Sequence, residues 1–158
     1  MGAPAALAVV VLTVGFTELL ATLVHRHVMH GFGWEWHRSH HEPRAGRFEK
    51  NDLYALVFAV PACALIFADG GHRGPAYWIG IGMSVYGALY FFVHDWVTHR
   101  RWPWRHTPRR GYLKRLVQAH RLHHAVPGRE GAVSFGFLYA PPVRRLKAQL
   151  CGDRSPRR

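Results

Sequence analysis

The feature that most constrains this chain is its first apolar run, Ala3 to Val24: 22 residues with a single ionisable side chain, Glu18. Wound as an α-helix, such a run is about 33 Å long, matching the hydrocarbon core of a bilayer. A secretory signal carries basic residues ahead of a shorter apolar stretch, and Met1 to Pro4 has none, so the run is expected to be a retained span. Two further runs, Leu53 to Ala68 and Tyr77 to Val93, flank the polar turn Asp69-Gly-Gly-His-Arg-Gly-Pro and read as a helical hairpin. At 16 and 17 residues they are short for a bilayer unless Asn51, Asp52 and His94 sit in the headgroup zone; a buried hairpin of a soluble bundle is the alternative. The fold class that follows is all-α, an integral-membrane helical bundle forming one unit over residues 1–158, with spans at about 3–24, 53–68 and 77–93.

Charge supplies an independent test of this topology. Of the 21 Lys and Arg residues, five lie between His25 and Lys50, one (Arg73) in the hairpin turn, and fifteen from Arg100 to Arg158. With three spans, both basic segments fall on one side, which the positive-inside tendency makes cytoplasmic, in an inner membrane, with the N-terminus and Arg73 outside. The net charge of +12 comes with no zinc-finger, RRM or helix-turn-helix pattern, so lipid headgroups and not nucleic acid are the expected anionic partners. A mean hydropathy of −0.11 averages apolar spans with basic loops and decides nothing. Cys63 and Cys151 read as free thiols. Tyr112 to Ala119 mixes apolar and basic residues as a helix lying along the interface would, Val143 to Leu150 reads as a short basic helix, and 151–158 as a flexible tail.

The chemistry lies in the histidines. Among thirteen, His25 and His30 form an H-x4-H pair followed by the H-x2-H-H box His37, His40, His41; the same order returns as His94 and His99, then His120, His123 and His124. On a helix, positions i, i+3 and i+4 share a face, so each box can converge on one small volume. Positions i and i+5 stand about 140° apart, so each x4 pair needs either a helix end within it or two different ions as targets. Ten imidazoles exceed what one first-row ion accepts, which implies two ions with about five ligands each and an open position on each. Iron suits ten histidines at least as well as zinc, whose structural sites favour four ligands and usually some cysteine. Glu-x-x-His, H-E-x-x-H, G-x-S-x-G, P-loop and C-x-x-C-H patterns are all missing, which excludes soluble di-iron carboxylate bundles, zincins, nucleophile-elbow hydrolases, nucleotide hydrolases and c-type haem proteins.

Boxes in this order beside apolar spans resemble the membrane-bound fatty acid hydroxylase and desaturase superfamily. The words around them are similar to bacterial β-carotene 3-hydroxylases: Val28-Met-His-Gly, Trp36-His-Arg-Ser-His-His-Glu, Glu49-Lys-Asn-Asp-Leu-Tyr, Arg101-Trp-Pro, Pro108-Arg-Arg-Gly-Tyr, Gln118-Ala-His-Arg-Leu-His-His-Ala-Val and Ser134-Phe-Gly-Phe-Leu-Tyr-Ala-Pro-Pro. The likeness runs from about Glu18 to Leu146. It implies metal ligation by His25, His30, His37, His40, His41, His94, His99, His120, His123 and His124, with two iron ions (or zinc in a purified sample), O2 as co-substrate, and electrons from reduced ferredoxin and its reductase. The implied reaction hydroxylates carbon 3 of the β-ionone rings of β-carotene, giving β-cryptoxanthin and then zeaxanthin. Fatty-acyl hydroxylation, carotenoid ketolation, a membrane haem protein and a metal carrier are the rival readings.

Several other residues have two readings each. Glu18, seven residues before His25, can orient a ligand histidine or line a polar pocket, or else form a helix–helix hydrogen bond. Asp95 can orient His94. His27, His72 and His106 lie outside the boxes and are expected at the surface. Trp34, Trp36, Trp102 and Trp104 read as an interfacial aromatic belt, with substrate stacking as the alternative.

Overall fold

A computed structural model describes residues 1–158 apart from 44, 45, 47, 104, 105 and 154–158. Trp104 and most of the proposed tail lie outside the described residues. Helices α1 (Ala3–Val24), α2 (Trp34–His41), α3 (Leu53–Ala68), α4 (Pro75–Tyr90), α5 (Gly111–His123) and α6 (Val143–Asp153) account for the regular structure, joined by two π-helical segments, π1 (His25–Phe32) and π2 (Phe91–Thr98), and a 3₁₀ turn at Lys50–Asp52. Three continuous helical stretches are long and apolar enough to cross a membrane: Ala3–Phe32, Lys50–Ala68 and Pro75–Thr98, of 30, 19 and 24 residues. The hairpin helices therefore exceed the apolar runs by which the sequence delimits them, because each continues into polar residues that carry the metal chemistry. Helix α6 likewise continues past Leu150 to Asp153, and its Leu146 is buried in a cluster with Val93, Leu116, Ala119 and Ala140.

The burial pattern suits lipid as solvent. Leu7, Leu12, Phe16, Val60 and Phe67 point outward, whereas the interior of the spans is made of small residues and one polar cluster. Helix α4 is the central member, packed against α1 and α3. Two glycines make that approach feasible from opposite faces. A Cβ on Gly80 would lie 2.7 Å from the Ala62 carbonyl and from Ile66 Cγ1 of α3; one on Gly82 would lie 2.6 Å from Thr13 Cβ of α1.

Glu18 is the polar cluster's centre. Its Oε1 accepts the backbone N–H groups of Phe137, Leu138 and Tyr139 at 3.0, 3.0 and 2.9 Å, and its Oε2 accepts the Tyr86 hydroxyl at 2.9 Å. It thus forms the helix–helix bond, to α4, and also binds the chain returning after α5. None of these four partners is a histidine. Gly136 permits the approach, since a Cβ there would meet Glu18 Oε1 at 2.9 Å.

The π segments resolve the spacing of the x4 pairs. The His99 N–H donates to the His94 carbonyl at 2.9 Å, and the Gly33 N–H to the Val28 carbonyl at 2.8 Å, both across five residues. In this wider register, residues five apart come to one side of the helix, which α winding forbids. Neither a helix end within the pair nor two different targets is needed. Gly31, with φ −110° and ψ −126°, then breaks π1 and lets α2 turn back beneath it.

Substituting Gly80 or Gly82 by Leu should drive α4 away from its neighbour and lower thermal stability in detergent by about 1–3 kcal/mol or more. Gly87→Ala, where an added Cβ meets nothing within 4 Å, should leave the melting temperature near that of the parent.

Candidate metal centre

All ten boxed histidines meet where the spans end. Ligand-capable atoms of His25, His30, His37 and His123 lie within 4.8 Å of one another, and so do those of His40, His94, His99 and His120. The remaining two attach one to each group: His41 Nε2 is 3.2 Å from His37 Nε2, and His124 Nε2 is 2.9 Å from His120 Nε2. The result is two clusters of five. Each box, able by its shared helical face to converge on one volume, is instead divided between the two clusters. In α2, His37 and His41 belong to the first cluster and His40 crosses to the second; in α5, His120 and His124 belong to the second and His123 crosses to the first. Each x4 pair stays whole, His25 with His30 in the first cluster and His94 with His99 in the second. The two halves are therefore related by an approximate twofold exchange, each built from a π-segment pair, the i and i+4 members of its own box, and the i+3 member of the other box.

Ring orientation says what fills the space between them. His30 Nδ1 donates to the Arg129 carbonyl at 2.8 Å and His123 Nδ1 to the Val133 carbonyl at 3.1 Å, acceptors that compel the proton onto Nδ1. A neutral imidazole so protonated keeps a bare lone pair on Nε2, and these two Nε2 atoms face each other at 3.1 Å. The same holds between His40 and His94, whose Nδ1 atoms face the Glu49 and Asp95 carboxylates at 2.7 and 2.8 Å and whose Nε2 atoms are 3.0 Å apart. One doubly protonated ring per pair could donate its Nε2–H across the gap, but burial with neighbouring imidazoles opposes that charge: it pushes His37 and His124 down to about 3, His41 to about 4, and His40, His120 and His123 well below the usual imidazole value. Facing lone pairs on rings held neutral suit a cation between them. Two nitrogens bound at right angles about 2.1 Å from one ion lie about 3.0 Å apart, and the close Nε2 pairs in these clusters measure 2.8 to 3.2 Å. The donor set fits two metal ions and leaves no room for a porphyrin plane between imidazoles.

The acceptors that set these tautomers come from two places. The chain between α5 and α6 offers the carbonyls of Val126, Arg129, Val133 and Phe135 to His41, His30, His123 and His25. The segment before α3 offers Asn51 to His37 at 2.7 Å and Glu49 to His40. Arg101 ties the second group together, bonding Glu49 at 2.6 Å, Asp52 at 2.7 Å and Asp95 at 3.4 Å. Backbone carbonyls carry no sequence signal; Glu49 and Asn51 do, in the Glu49-Lys-Asn-Asp-Leu-Tyr word, and Glu49 together with the 3₁₀ turn forms a capping box with Asp52.

Aromatic rings close the site. Phe137 stacks on His25 at 4.9 Å and Tyr90 on His94 at 4.6 Å. Trp34 packs against His30 and His41 at 5.3 Å each, and Trp36 against Tyr54. Trp34 is thus part of the wall of the first cluster. His27, His72 and His106 are exposed and belong to neither cluster, and both cysteines are exposed free thiols.

The model of the fatty acid hydroxylase family matches residues 10–140. A β-carotene hydroxylase of Pantoea ananas is 59% identical over 142 residues, 90% of this chain and 81% of that protein. One from Paracoccus sp. (strain PC1) is 57% identical over 144 residues, 90% of this chain and 88% of that protein. A chloroplastic β-carotene 3-hydroxylase of Haematococcus lacustris is 39% identical over 130 residues, 78% of this chain and 40% of that protein. No solved structure matches the chain. With these relatives and a doubled five-histidine centre at the ends of its membrane helices, the chain belongs to the fatty acid hydroxylase family, in its group of bacterial β-carotene hydroxylases.

Proposed function

We propose that the chain, as a single membrane-embedded unit over residues 1–158, hydroxylates carbon 3 of the β-ionone rings of β-carotene, producing β-cryptoxanthin and then zeaxanthin. The observation that carries this reading is the pairing of the two five-histidine clusters with relatives named for β-carotene hydroxylation. All ten boxed histidines serve as ligands of two iron ions, five to each. Bound there, the irons supply the redox capacity to activate O2, so that a ring C–H becomes C–OH while two electrons and two protons reduce the other oxygen atom to water. Reduced ferredoxin, regenerated by its reductase, is the electron source, and the exposed Arg109, Arg110, Arg144, Arg145 and Lys147 offer a basic face to an anionic carrier.

The protein's own contribution is position and dryness. Backbone carbonyls and carboxylates hold the imidazoles in one tautomer before any substrate arrives, so little reorganisation remains. An apolar recess lined by Ala21, Val24, Met29, Phe58, Gly87 and Phe137 opens between α1, α3 and α4 at the depth of the spans. Tyr90 and Phe137 border it, and each has one face on a ring of a cluster, His94 for Tyr90 and His25 for Phe137. A long polyene stays in hydrocarbon while its terminal ring occupies this recess, one side chain away from the histidines. The split of basic residues supports a cytoplasmic centre. The family model's name favours a fatty-acyl substrate as the second reading, which the products distinguish.

Expressed in β-carotene-producing cells, the chain should yield β-cryptoxanthin and zeaxanthin; ketones or hydroxylated acyl chains without zeaxanthin would replace this reading by its rivals. At equal membrane level, Ala at any of the ten boxed histidines should abolish or nearly abolish product, whereas His72→Ala, His27→Ala and His106→Ala should retain most of it. Gly87→Leu, which fills the recess without touching a histidine, should lower hydroxylation at least about tenfold while metal content stays unchanged. Reporter fusions should place Lys50 in the cytoplasm and Gly71 outside; Gly71 inside would invert the orientation and separate the centre from ferredoxin.

A further inference from the structure

The twofold exchange relates His25 to His94, His40 to His123 and His37 to His120, yet what stands behind equivalent rings differs in charge. Every member of the first cluster is backed by a neutral acceptor: Phe135 O for His25 at 2.8 Å, Arg129 O for His30 at 2.8 Å, Asn51 Oδ1 for His37 at 2.7 Å, Val126 O for His41 at 3.2 Å and Val133 O for His123 at 3.1 Å. In the second cluster, His40 is backed by the Glu49 carboxylate at 2.7 Å and His94 by the Asp95 carboxylate at 2.8 Å. Neither carboxylate is a mobile surface group. Glu49 and Asp95 are largely buried, and the Arg101 guanidinium reaches both. Glu18, the acid within the first span, is engaged by three backbone N–H groups and the Tyr86 hydroxyl, none of them a histidine.

A carboxylate accepting from Nδ1–H draws that proton toward itself and makes the opposite nitrogen a stronger donor, and loss of such a partner lowers metal affinity about tenfold to a hundredfold. A carbonyl accepts the same bond without the negative charge. We propose that the two metal positions are unequal: Glu49 and Asp95, held by Arg101, act as positioning residues that make the second cluster the tighter and first-filled site, while the first cluster, backed only by neutral acceptors, is the weaker one. The inference rests on the two-metal reading above and adds which histidines hold which ion more firmly. It also means that a sequence whose histidine pattern is duplicated does not specify duplicated sites, because the difference is written in the residues behind the ligands.

The test is a cobalt(II) titration of the purified, chelator-stripped full chain in detergent, followed by visible absorption and by calorimetry, so that no turnover is required. The parent should take up two ions per chain in two separated steps. Glu49→Gln is isosteric, can still accept from His40, and removes only the charge; it should weaken the first step about tenfold to a hundredfold and leave the second unchanged. Asn51→Asp places a carboxylate behind His37 and should tighten the second step, bringing the two together. Two steps of equal affinity in the parent, or a Glu49→Gln effect confined to the second step or shared equally by both, would overturn the inequality while leaving the two-metal reading intact. Uptake of a single ion by the parent would overturn both.

Discussion

Ten imidazole lone pairs directed at one another inside a dry bundle are the constraint on which the rest of this structure depends. Without cations between them, close Nε2 pairs whose Nδ1 atoms already donate outward, such as His30–His123 and His40–His94, would be repulsive unless one ring took up a proton and bridged the gap, a charge that burial and the neighbouring imidazoles oppose at His40 and His123. His30 and His123 make the point most sharply, with both Nδ1 atoms on backbone carbonyls and both Nε2 atoms facing inward. Two ions held there would turn that repulsion into ligation. Metal loading and stability of the histidine-bearing ends are accordingly coupled, and the apolar spans serve chiefly to bring four histidine-bearing segments to one place.

The geometry achieves this with few devices. Two π-helical segments bring residues five apart onto one face; two short boxes share their middle member with the opposite half; and the chain returning after α5 supplies carbonyls for four rings. Glu18 fixes that return by gathering the N–H groups of Phe137 to Tyr139 while bonding Tyr86 of α4. An acid in the middle of a span thereby acts on the centre at one remove, through the loop whose Phe135 carbonyl orients His25. Small residues on α4 complete the arrangement, since a bulkier Gly80 or Gly82 would widen the bundle beneath the site.

Much of this was legible in the sequence for definite reasons. Hydropathy located three spans because lipid requires apolar exteriors, and the two H-x4-H and H-x2-H-H sets pointed to two ions because no single ion accepts ten rings. What was not legible follows from backbone geometry and tertiary exchange. Nothing in His25-Arg-His-Val-Met-His announces π winding, so each x4 pair was left needing either a helix end within it or two different ions as targets. How each box divides between the clusters was not legible either, because i+3 and i+4 on one face are near neighbours and only the partner helix decides which way His40 and His123 turn. The carbonyls of Val126, Arg129, Val133 and Phe135 have no residue signature at all. Trp34 looked like part of an interfacial belt, yet it lies against His30 and His41, since α2 folds back under π1 after Gly31.

Whether five histidines surround each of two ions is decided by X-ray absorption at the iron edge, with elemental analysis of the same sample, on anaerobically iron-loaded protein. Two irons per chain are expected, with a first shell dominated by about five nitrogen donors, the outer-atom scattering typical of imidazole, and no sulfur. One iron per chain, or a shell made mostly of carboxylate oxygen, would contradict it.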